Sequence, residues 1–260
     1  MDIVVIQHEP HITAGLLGEV LELRGRPTRT LRMWQSDPVP SGVAGIRALA
    51  VLGGTMNTDE AAEHPFLEAE RALLAACVEA AVPVLGLCLG AQLLAEATGG
   101  SVTHRTAEHA YVPVRRADAA DGDEMFAGWP DGAAGLSLHA DWITAGPDSV
   151  VLASSEHTPV EAFRVGDKAY GVQFHPEFDA AALSTVLAGE GARDRLAADG
   201  VDPDLLLEDA VRRDPFQRAT GAGLLGRWVD GVVGRTDAEQ PWGRRGPQPV
   251  PGPGLSLNPA

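Results

Sequence analysis

Apolar and amphipathic segments alternate along the first part of the chain. Continuous apolar runs at 2–6 and 46–52 are typical of parallel strands that are covered on both faces. The segments at 14–24 and 66–81 repeat apolar residues at helical spacing, and Thr13 stands where it could cap the first of them. Because strands and helices alternate in this way, the pattern predicts an α/β fold.

Weaker patterns predict the other elements of the chain. Strands are predicted at 28–34, 101–103, 111–114, 150–154, 160–165 and 169–174. Helices are predicted at 180–188, with Asp179 as the cap, and at 192–199, 204–213 and 216–233. The polar segment at 104–110 predicts a solvated loop. A second loop is expected at 117–132, with Met125, Phe126 and Trp129 packing back onto the domain.

The apolar run at 83–87 leads through Cys88 directly into a segment of helical character. Gly86 and Gly90 remove the Cβ atoms that would clash where a strand turns sharply into a helix, as in a nucleophile elbow. Unpaired amides at the start of that helix would favour the thiolate. By itself, a cysteine in an apolar run is more often an inert core residue.

A second segment far downstream changes that interpretation of Cys88. His175 and Glu177 follow an alternating strand, and Pro176 between them favours extended backbone at His175. Residues two apart in extended backbone project to the same side. The pair could therefore supply a base and the carboxylate that orients it, which together with a thiol is the arrangement of covalent catalysis.

The motif GLCLGAQ at 86–92, combined with HPE at 175–177, resembles the class I (triad) glutamine amidotransferases. The resemblance extends over about residues 3–178. It implies an open, mostly parallel, flavodoxin-like sheet flanked by helices, with Cys88, His175 and Glu177 as the catalytic triad. The start QHEP and a His-x-Asp segment are most similar to stand-alone domains like the glutamine amidotransferase domain of GMP synthase.

Gly53 and Gly54 directly follow the apolar run at 46–52. Two glycines let the backbone approach a ligand closely, and an amide there could donate to an oxyanion; a simple tight turn is the alternative. The resemblance implies that the Gly54 amide and the amide of Leu89 form an oxyanion hole, and that Gly53 contacts the substrate.

Further substrate contacts are expected from the same resemblance. Gln92 lies one helical turn after Cys88, where it could contact the substrate or brace the elbow. His139 and Asp141 form the His-x-Asp segment and are expected in the pocket wall. His8 ends the first predicted strand, where open α/β sheets place ligands, but surface polarity is the simpler interpretation.

Charge and cysteine content exclude several classes of function. The formal charge of −16 argues against a nucleic-acid groove, which needs phosphate-neutralising side chains. Two cysteines are too few for a disulfide framework or a zinc site, and a thiol nucleophile needs a reducing compartment. We find no signal peptide and no membrane-spanning apolar stretch. We therefore expect a cytoplasmic protein without bound metal, cofactor, nucleic acid or membrane.

The chain divides into three predicted parts. Residues 1–190 form the catalytic domain, and 191–233 a helical C-terminal extension. The segment 234–260 is rich in proline and glycine without apolar periodicity, which predicts a disordered tail.

The resemblance implies hydrolysis of the glutamine side-chain amide through a cysteinyl γ-glutamyl thioester, with ammonia passed to an unidentified acceptor. Members of the family usually pass the ammonia to a synthase domain or to a separate synthase subunit. Two alternatives stay open: a free-standing γ-glutamyl peptide or amide hydrolase, and a non-catalytic regulatory subunit with the same fold. An α/β-hydrolase is disfavoured, because its acid residue should precede the histidine by a long interval.

Overall fold

A computed structural model describes residues 1–234, which form one nine-stranded sheet with helices on both faces. The strands are β1 Asp2–Gln7, β2 Thr28–Arg32, β3 Ile46–Val51, β4 Val84–Leu87, β5 Ser101–Arg116, β6 Ala133–Thr144, β7 Ser149–Ser154, β8 Ala162–Val165 and β9 Ala169–Val172. The helices are α1 Gly15–Leu23, α2 Phe66–Glu79, α3 Leu89–Ala97, α4 Ala180–Leu187, α5 Ala192–Ala198 and α6 Pro203–Arg227. The α/β prediction is confirmed.

The strand order is β2-β1-β3-β4-β9-β8-β7-β5-β6. The five strands from β2 to β9 are parallel, and the pairings from β9 through β8, β7, β5 and β6 are antiparallel. Strands β4 and β9 are neighbours, with Leu87 opposite Val172. Since both are parallel strands, the residues that follow them emerge at the same sheet edge, where open α/β sheets bind ligands.

The core lies on both faces of the parallel strands, which explains their continuous apolar runs. In β1, Ile3 and Val5 pack with residues of α1 and α6, whereas Val4 and Ile6 pack with residues of α2 and α3. All four side chains are almost completely buried. Alternate residues of a strand point to opposite faces, so a strand sandwiched between helices has no polar side.

Two predictions, of a loop and of a helix cap, are wrong. The segment at 104–110 is not a loop but part of β5, which pairs with β6 and has an irregular register between His104 and Glu108. Residues 104–106 are exposed and 107–109 are half-buried, and no apolar face runs along this part of the hairpin that would signal a strand. Thr13 does not cap α1, because the N-cap is Ala14 and the Thr13 hydroxyl accepts only a 3.4 Å bond from the Gly15 amide.

The helices predicted at 204–213 and 216–233 are one helix, α6, followed by a π-helical turn at Trp228–Val233. Pro215 lies inside α6, between the two predicted segments, where proline removes one helix hydrogen bond. Burial on the domain outweighs that loss, since Leu224, Leu225 and Trp228 belong to the same core as β1.

Other local predictions agree with the structure. Met125, Phe126 and Trp129 are buried, and the Asp179 side chain accepts a hydrogen bond from the Ala182 amide at the start of α4. Among residues 1–234, no helix is both long and apolar enough to cross a membrane. From residue 235 onward, the predicted disordered tail lies outside the described residues. The predicted domain boundary at residue 190 stays a prediction.

Helix α6 contacts the segment that follows β9. The Gln217 side-chain amide donates a 3.1 Å hydrogen bond to the carbonyl of His175. A Cβ added at Gly221 would lie 2.1 Å from the carbonyl oxygen of Pro176. The helix and the HPE segment are thus in backbone contact, and only glycine fits at that point.

We expect Gly221→Ala to lower the free energy of unfolding by about 1–3 kcal/mol, because the new methyl group meets a backbone oxygen. Gly223→Ala is the matched control, since nothing lies within 4 Å of an added Cβ there. That change should stabilise the helix by about 0.5–1 kcal/mol. Urea unfolding of both variants provides the measurement, and effects of the same sign would contradict the packing described.

Candidate active site

Cys88 lies at the sharp turn between β4 and α3. Its backbone has φ 49° and ψ −106°, which is unusual for a residue other than glycine. A Cβ added at Gly86 would lie 2.4 Å from the carbonyl oxygen of Gly90. A Cβ added at Gly90 would lie 2.1 Å from the carbonyl oxygen of Val51. The Cys88 amide donates a 2.9 Å hydrogen bond to the carbonyl of Val172 in β9. The structure therefore has the elbow geometry that the glycine spacing predicted.

His175 and Glu177 follow β9 and lie beside this turn. The His175 Nδ1 is 2.7 Å from the Glu177 Oε1, and both side chains are buried. The imidazole stacks on Phe178, with ring centroids 4.5 Å apart and planes 6° from parallel. Backbone hydrogen bonds hold the segment, from the His175 amide to Leu136 and from the Leu16 amide to the Glu177 carbonyl. The imidazole ring is thus fixed on several sides.

Nearby negative charge changes the protonation of His175. Burial lowers the pKa of its imidazole, but the charge of Glu177 and the adjoining Cys88 sulfur raise this pKa by more, so that it reaches about 10. A hydrogen bond between His175 and Cys88 also raises this pKa. A carboxylate on one side of the ring and a sulfur on the other favour the protonated imidazole.

Gly53 and Gly54 approach the same point from β3. An added Cβ at Gly53 would lie 3.2 Å from the His175 Cε1 and 3.6 Å from the Cys88 Cβ. At Gly54 it would lie 2.8 Å from a methyl carbon of Leu89. The Leu89 amide opens α3 and so has no acceptor within the helix. The structure brings both predicted oxyanion amides close to the predicted triad.

The sequence interpretation of His8 was wrong, because this side chain is buried behind the glycine pair. Its Nδ1 is 2.9 Å from the Gly53 carbonyl oxygen, and its Nε2 is 3.0 Å from the Glu70 Oε2. Glu70 of α2 is completely buried and was missed by sequence reasoning. Its helical spacing from Leu67 and Leu74, both buried, was the signal that places it on the inner face.

Gln92 and Gln173 form a short amide chain to the sulfur. The Gln92 Nε2 donates to the Gln173 Oε1 at 3.4 Å, and the Gln173 Nε2 lies 3.6 Å from the Cys88 Sγ. Gln92 also lines the cavity beside Cys88, so both interpretations of this residue fit its position. Gln173 was not singled out in the sequence, although it stands two residues before His175.

A cavity of about 260 Å³ adjoins the Cys88 side chain. Gly54, Cys88, Gln92, His139, Asp141 and His175 line it together with residues of α4 and α5. Asp141 Oδ1 lies 2.9 Å from the Nδ1 of His104. A larger open cleft of about 820 Å³ shares no lining residue with this cavity. That cleft contains paired charges such as Arg24 with Asp230, at 2.6 Å.

His139 also belongs to a cluster with Glu108 and Glu161, whose donor atoms all lie within 4.8 Å of one another. Among residues 1–234, this set of donors is the one that could hold a metal ion. Neither the ring nitrogens of His139 nor the carboxylate oxygens of Glu161 make a hydrogen bond of good geometry with the described part of the chain. The cluster joins the cavity wall to the start of β8.

Burial dominates the protonation of His139 and Glu161. It lowers the pKa of His139 to about 4, with a further contribution from His175, so the imidazole is neutral near pH 7. Burial also raises the pKa of Glu161 to about 7; Ser155 opposes this shift and Glu108 adds to it. Glu161 therefore keeps its proton in the folded protein to a much higher pH than in an unfolded chain.

A cysteine at an elbow beside a buried His–Glu pair, at the edge of a parallel sheet, is the arrangement of thiol-dependent acyl-transfer enzymes. The family described as glutamine amidotransferase class-I matches residues 23–188, more than half of the chain. The chain therefore belongs to the class I glutamine amidotransferase family. The resemblance inferred from the two motifs is confirmed.

Curated relatives agree with this membership. The chain is 34% identical over 165 residues to the GMP synthase (glutamine-hydrolyzing) of Streptomyces avermitilis, covering 60% of this chain and 30% of that one. It is 41% identical over 98 residues to one subunit of the GMP synthase (glutamine-hydrolyzing) of Methanopyrus kandleri, covering 37% and 52%. The chain thus matches about a third to a half of these relatives' lengths.

Among solved structures, a glutamine amidotransferase from Thermotoga maritima is similar in fold, with a TM-score of 0.79 at 25% identity. The similarity covers 88% of this chain and 98% of that one. A glutamine amidotransferase from Methylobacillus flagellatus matches with a TM-score of 0.73 at 26% identity, over 89% and 95% of the two chains. The predicted fold class, including the helical C-terminal segment, is confirmed.

We expect Glu161→Gln to stabilise the protein increasingly as the pH rises from 4.5 to 8. When folding raises the pKa of a carboxyl, the folded protein loses stability as the pH rises from the unfolded to the folded pKa of that group. For Glu161 this range runs from about 4.5 to about 7. Glutamine does not titrate, so its advantage over glutamate should grow by up to about 3 kcal/mol across this range.

Urea unfolding at pH 5 and pH 8 measures this difference. The exposed Glu79, changed to Gln, is the control and should show no such growth. If the effect of Glu161→Gln were equal at the two pH values, the buried carboxyl would not carry the raised pKa.

Proposed function

We propose that this protein hydrolyses the side-chain amide of glutamine through a γ-glutamyl thioester on Cys88. The observation that supports this best is the contact series of sulfur, imidazole and carboxylate, formed by Cys88, His175 and Glu177, next to two backbone amides. A thiol of this kind needs a reducing compartment, so we place the reaction in the cytoplasm.

In the first step, the Cys88 sulfur attacks the carboxamide carbon of glutamine. The Gly54 and Leu89 amides stabilise the negative charge that develops on the carboxamide oxygen. His175 then donates its proton to the departing nitrogen, the C–N bond breaks, and ammonia leaves. A thioester between the γ-carbonyl and Cys88 remains.

In the second step, His175 takes a proton from water, which attacks the thioester carbonyl. The same two amides stabilise the new oxyanion until the C–S bond breaks and glutamate leaves. Glu177 accepts the hydrogen bond from the His175 Nδ1 throughout, so that Nε2 faces the sulfur and the charged imidazole is stabilised. The thiol is thereby regenerated for the next molecule of glutamine.

The cavity beside Cys88 is the proposed substrate site. Its volume, about 260 Å³, lies below the range of about 300–1,000 Å³ that larger ligands occupy, and it suits a single amino acid. Gly53, Gln92, His139 and Asp141 are the proposed contacts for the substrate. Because His139 is neutral near pH 7, it would act there as a hydrogen-bond partner rather than as a charge.

The proposed destination of the ammonia is an acceptor that is activated by a separate synthase subunit. The Methanopyrus kandleri relative is by name one subunit of a glutamine-hydrolysing GMP synthase, and this chain matches half of it. The much longer Streptomyces avermitilis relative carries additional sequence beyond the matched 30%. A separate synthase subunit would supply the activation of the ammonia acceptor.

We expect Cys88→Ala to reduce ammonia and glutamate release from glutamine by at least about 1,000-fold, since it removes the nucleophile. Cys77→Ala is the matched control, because burial raises the pKa of Cys77 to about 11 and makes it a poor nucleophile. A glutamine-like chloroketone should label the wild type and Cys77→Ala at Cys88 only, as measured by peptide mass.

The same assay includes a panel of γ-glutamyl dipeptides. Rapid Cys88-dependent cleavage of a dipeptide, with glutamine a poor substrate, would contradict the synthase proposal and indicate a free-standing γ-glutamyl hydrolase. If neither substrate were hydrolysed and the chloroketone labelled Cys88 no faster than a surface thiol, the proposal of catalysis would be wrong.

A further inference from the structure

We propose that His8 and Glu70 are positioning residues that orient the peptide bond between Gly53 and Gly54, and thereby aim the Gly54 N–H at the oxyanion. This inference rests on the proposed function of the site. The three elements involved are far apart in the chain: His8 follows β1, the glycine pair follows β3, and Glu70 lies in α2.

The contacts form a single line through the buried interior. Glu70 Oε2 lies 3.0 Å from the His8 Nε2, and the His8 Nδ1 lies 2.9 Å from the Gly53 carbonyl oxygen. Both side chains have no exposed surface. Phe66 covers the His8 ring, with centroids 5.8 Å apart. A buried ionisable pair is costly, so its contact with a catalytic loop calls for a functional explanation.

Peptide geometry connects the Gly53 carbonyl to the Gly54 amide. A trans peptide is planar, so its C=O and N–H point in opposite directions. A hydrogen bond that holds the Gly53 oxygen on the His8 side therefore turns the Gly54 N–H away from His8. Within residues 1–234 this N–H donates no hydrogen bond, which leaves it available for a ligand.

Two adjacent glycines cannot hold this orientation by themselves, because glycine restricts neither φ nor ψ strongly. Side chains cannot replace the missing restriction, since the space is occupied. An added Cβ at Gly54 would lie 3.2 Å from the His8 Cβ and 2.8 Å from the Leu89 side chain. The loop must be bare to fit between these residues, and it needs an external hydrogen bond to stay in place.

The chemistry of the His8 ring fits this task. A carbonyl oxygen only accepts hydrogen bonds, so the Nδ1 must carry a proton. Burial lowers the pKa of His8, but Glu70 and the Gly53 carbonyl raise it by more, so the net shift is upward. Glu70 thus favours the doubly protonated ring, whose hydrogen bond to Gly53 is charge-assisted and stronger than a neutral one.

The test compares His8→Gln with His8→Asn. The asparagine amide nitrogen lies close to the position of the Nδ1, whereas the glutamine amide extends toward that of the Nε2. We expect His8→Gln to lower kcat for glutamine by about 10- to 100-fold with less than about a threefold change in KM, because the oxyanion contact acts in the transition state. His8→Asn should recover much of this loss.

Two measurements separate positioning from general damage. Alkylation of Cys88 by iodoacetamide forms no oxyanion, so its rate should stay within about twofold of wild type in both variants. A crystal structure of His8→Gln should show the Gly53–Gly54 peptide rotated, whether or not the protein turns over glutamine. The exposed His157, changed to Asn, is the control for a histidine substitution away from the site.

Equal kcat values for His8→Gln and wild type, or equal losses in the Asn and Gln variants, would overturn the positioning role. A parallel fall in the alkylation rate would also overturn it, since the variant would then disturb the thiol itself. Failure of the proposed function is distinguishable: the wild type would show no Cys88-dependent turnover, while peptide rotation in the His8→Gln crystal would still test the positioning role.

Discussion

The lateral pairing of β4 with β9 is the constraint on which the site depends. These strands are more than eighty residues apart in the chain, yet Leu87 lies opposite Val172, and the hydrogen bond from the Cys88 amide extends the pairing into the elbow. A slip of one residue would turn every side chain of β9 to the other face and separate the imidazole from the sulfur. Close packing opposes that slip, because only glycine fits at position 171, where an added Cβ would lie 2.2 Å from the Phe163 ring.

The site also depends on the close approach of backbone segments to one another. Two pairs of glycines allow this approach in different places. Gly86 and Gly90 allow the strand and helix to meet at Cys88, whose positive φ stores strain of about 1–3 kcal/mol. Gly53 and Gly54 instead allow a loop to lie against the His175 imidazole and the Cβ of Cys88. The first pair shapes the turn at Cys88, and the second brings a loop next to His175 and Leu89, so both pairs lie at the ends of adjacent strands.

How far the site could be predicted depends on how local its determinants are. The elbow and the HPE segment have stereochemistry that a few adjacent residues dictate, so the structure brings Cys88, His175 and Glu177 together as the motifs indicated. Glu70 and Gln173 act through residues distant in sequence, and neither stands out before the strands are placed side by side. The polar stretch of β5 was missed because its mixture of exposed and half-buried side chains has no apolar periodicity.

The HPE segment is anchored mainly through its main chain. The Leu16 amide donates a hydrogen bond to the Glu177 carbonyl, and the His175 amide donates one to the Leu136 carbonyl. Any residue except proline can donate such a bond, and any residue can accept it. The side chains at positions 16 and 136 can therefore be exchanged for others of suitable volume without loss of the hydrogen bonds that hold His175 and Glu177 in place. Distant homologues should accordingly diverge at these anchor positions and still superimpose closely at the histidine and the glutamate.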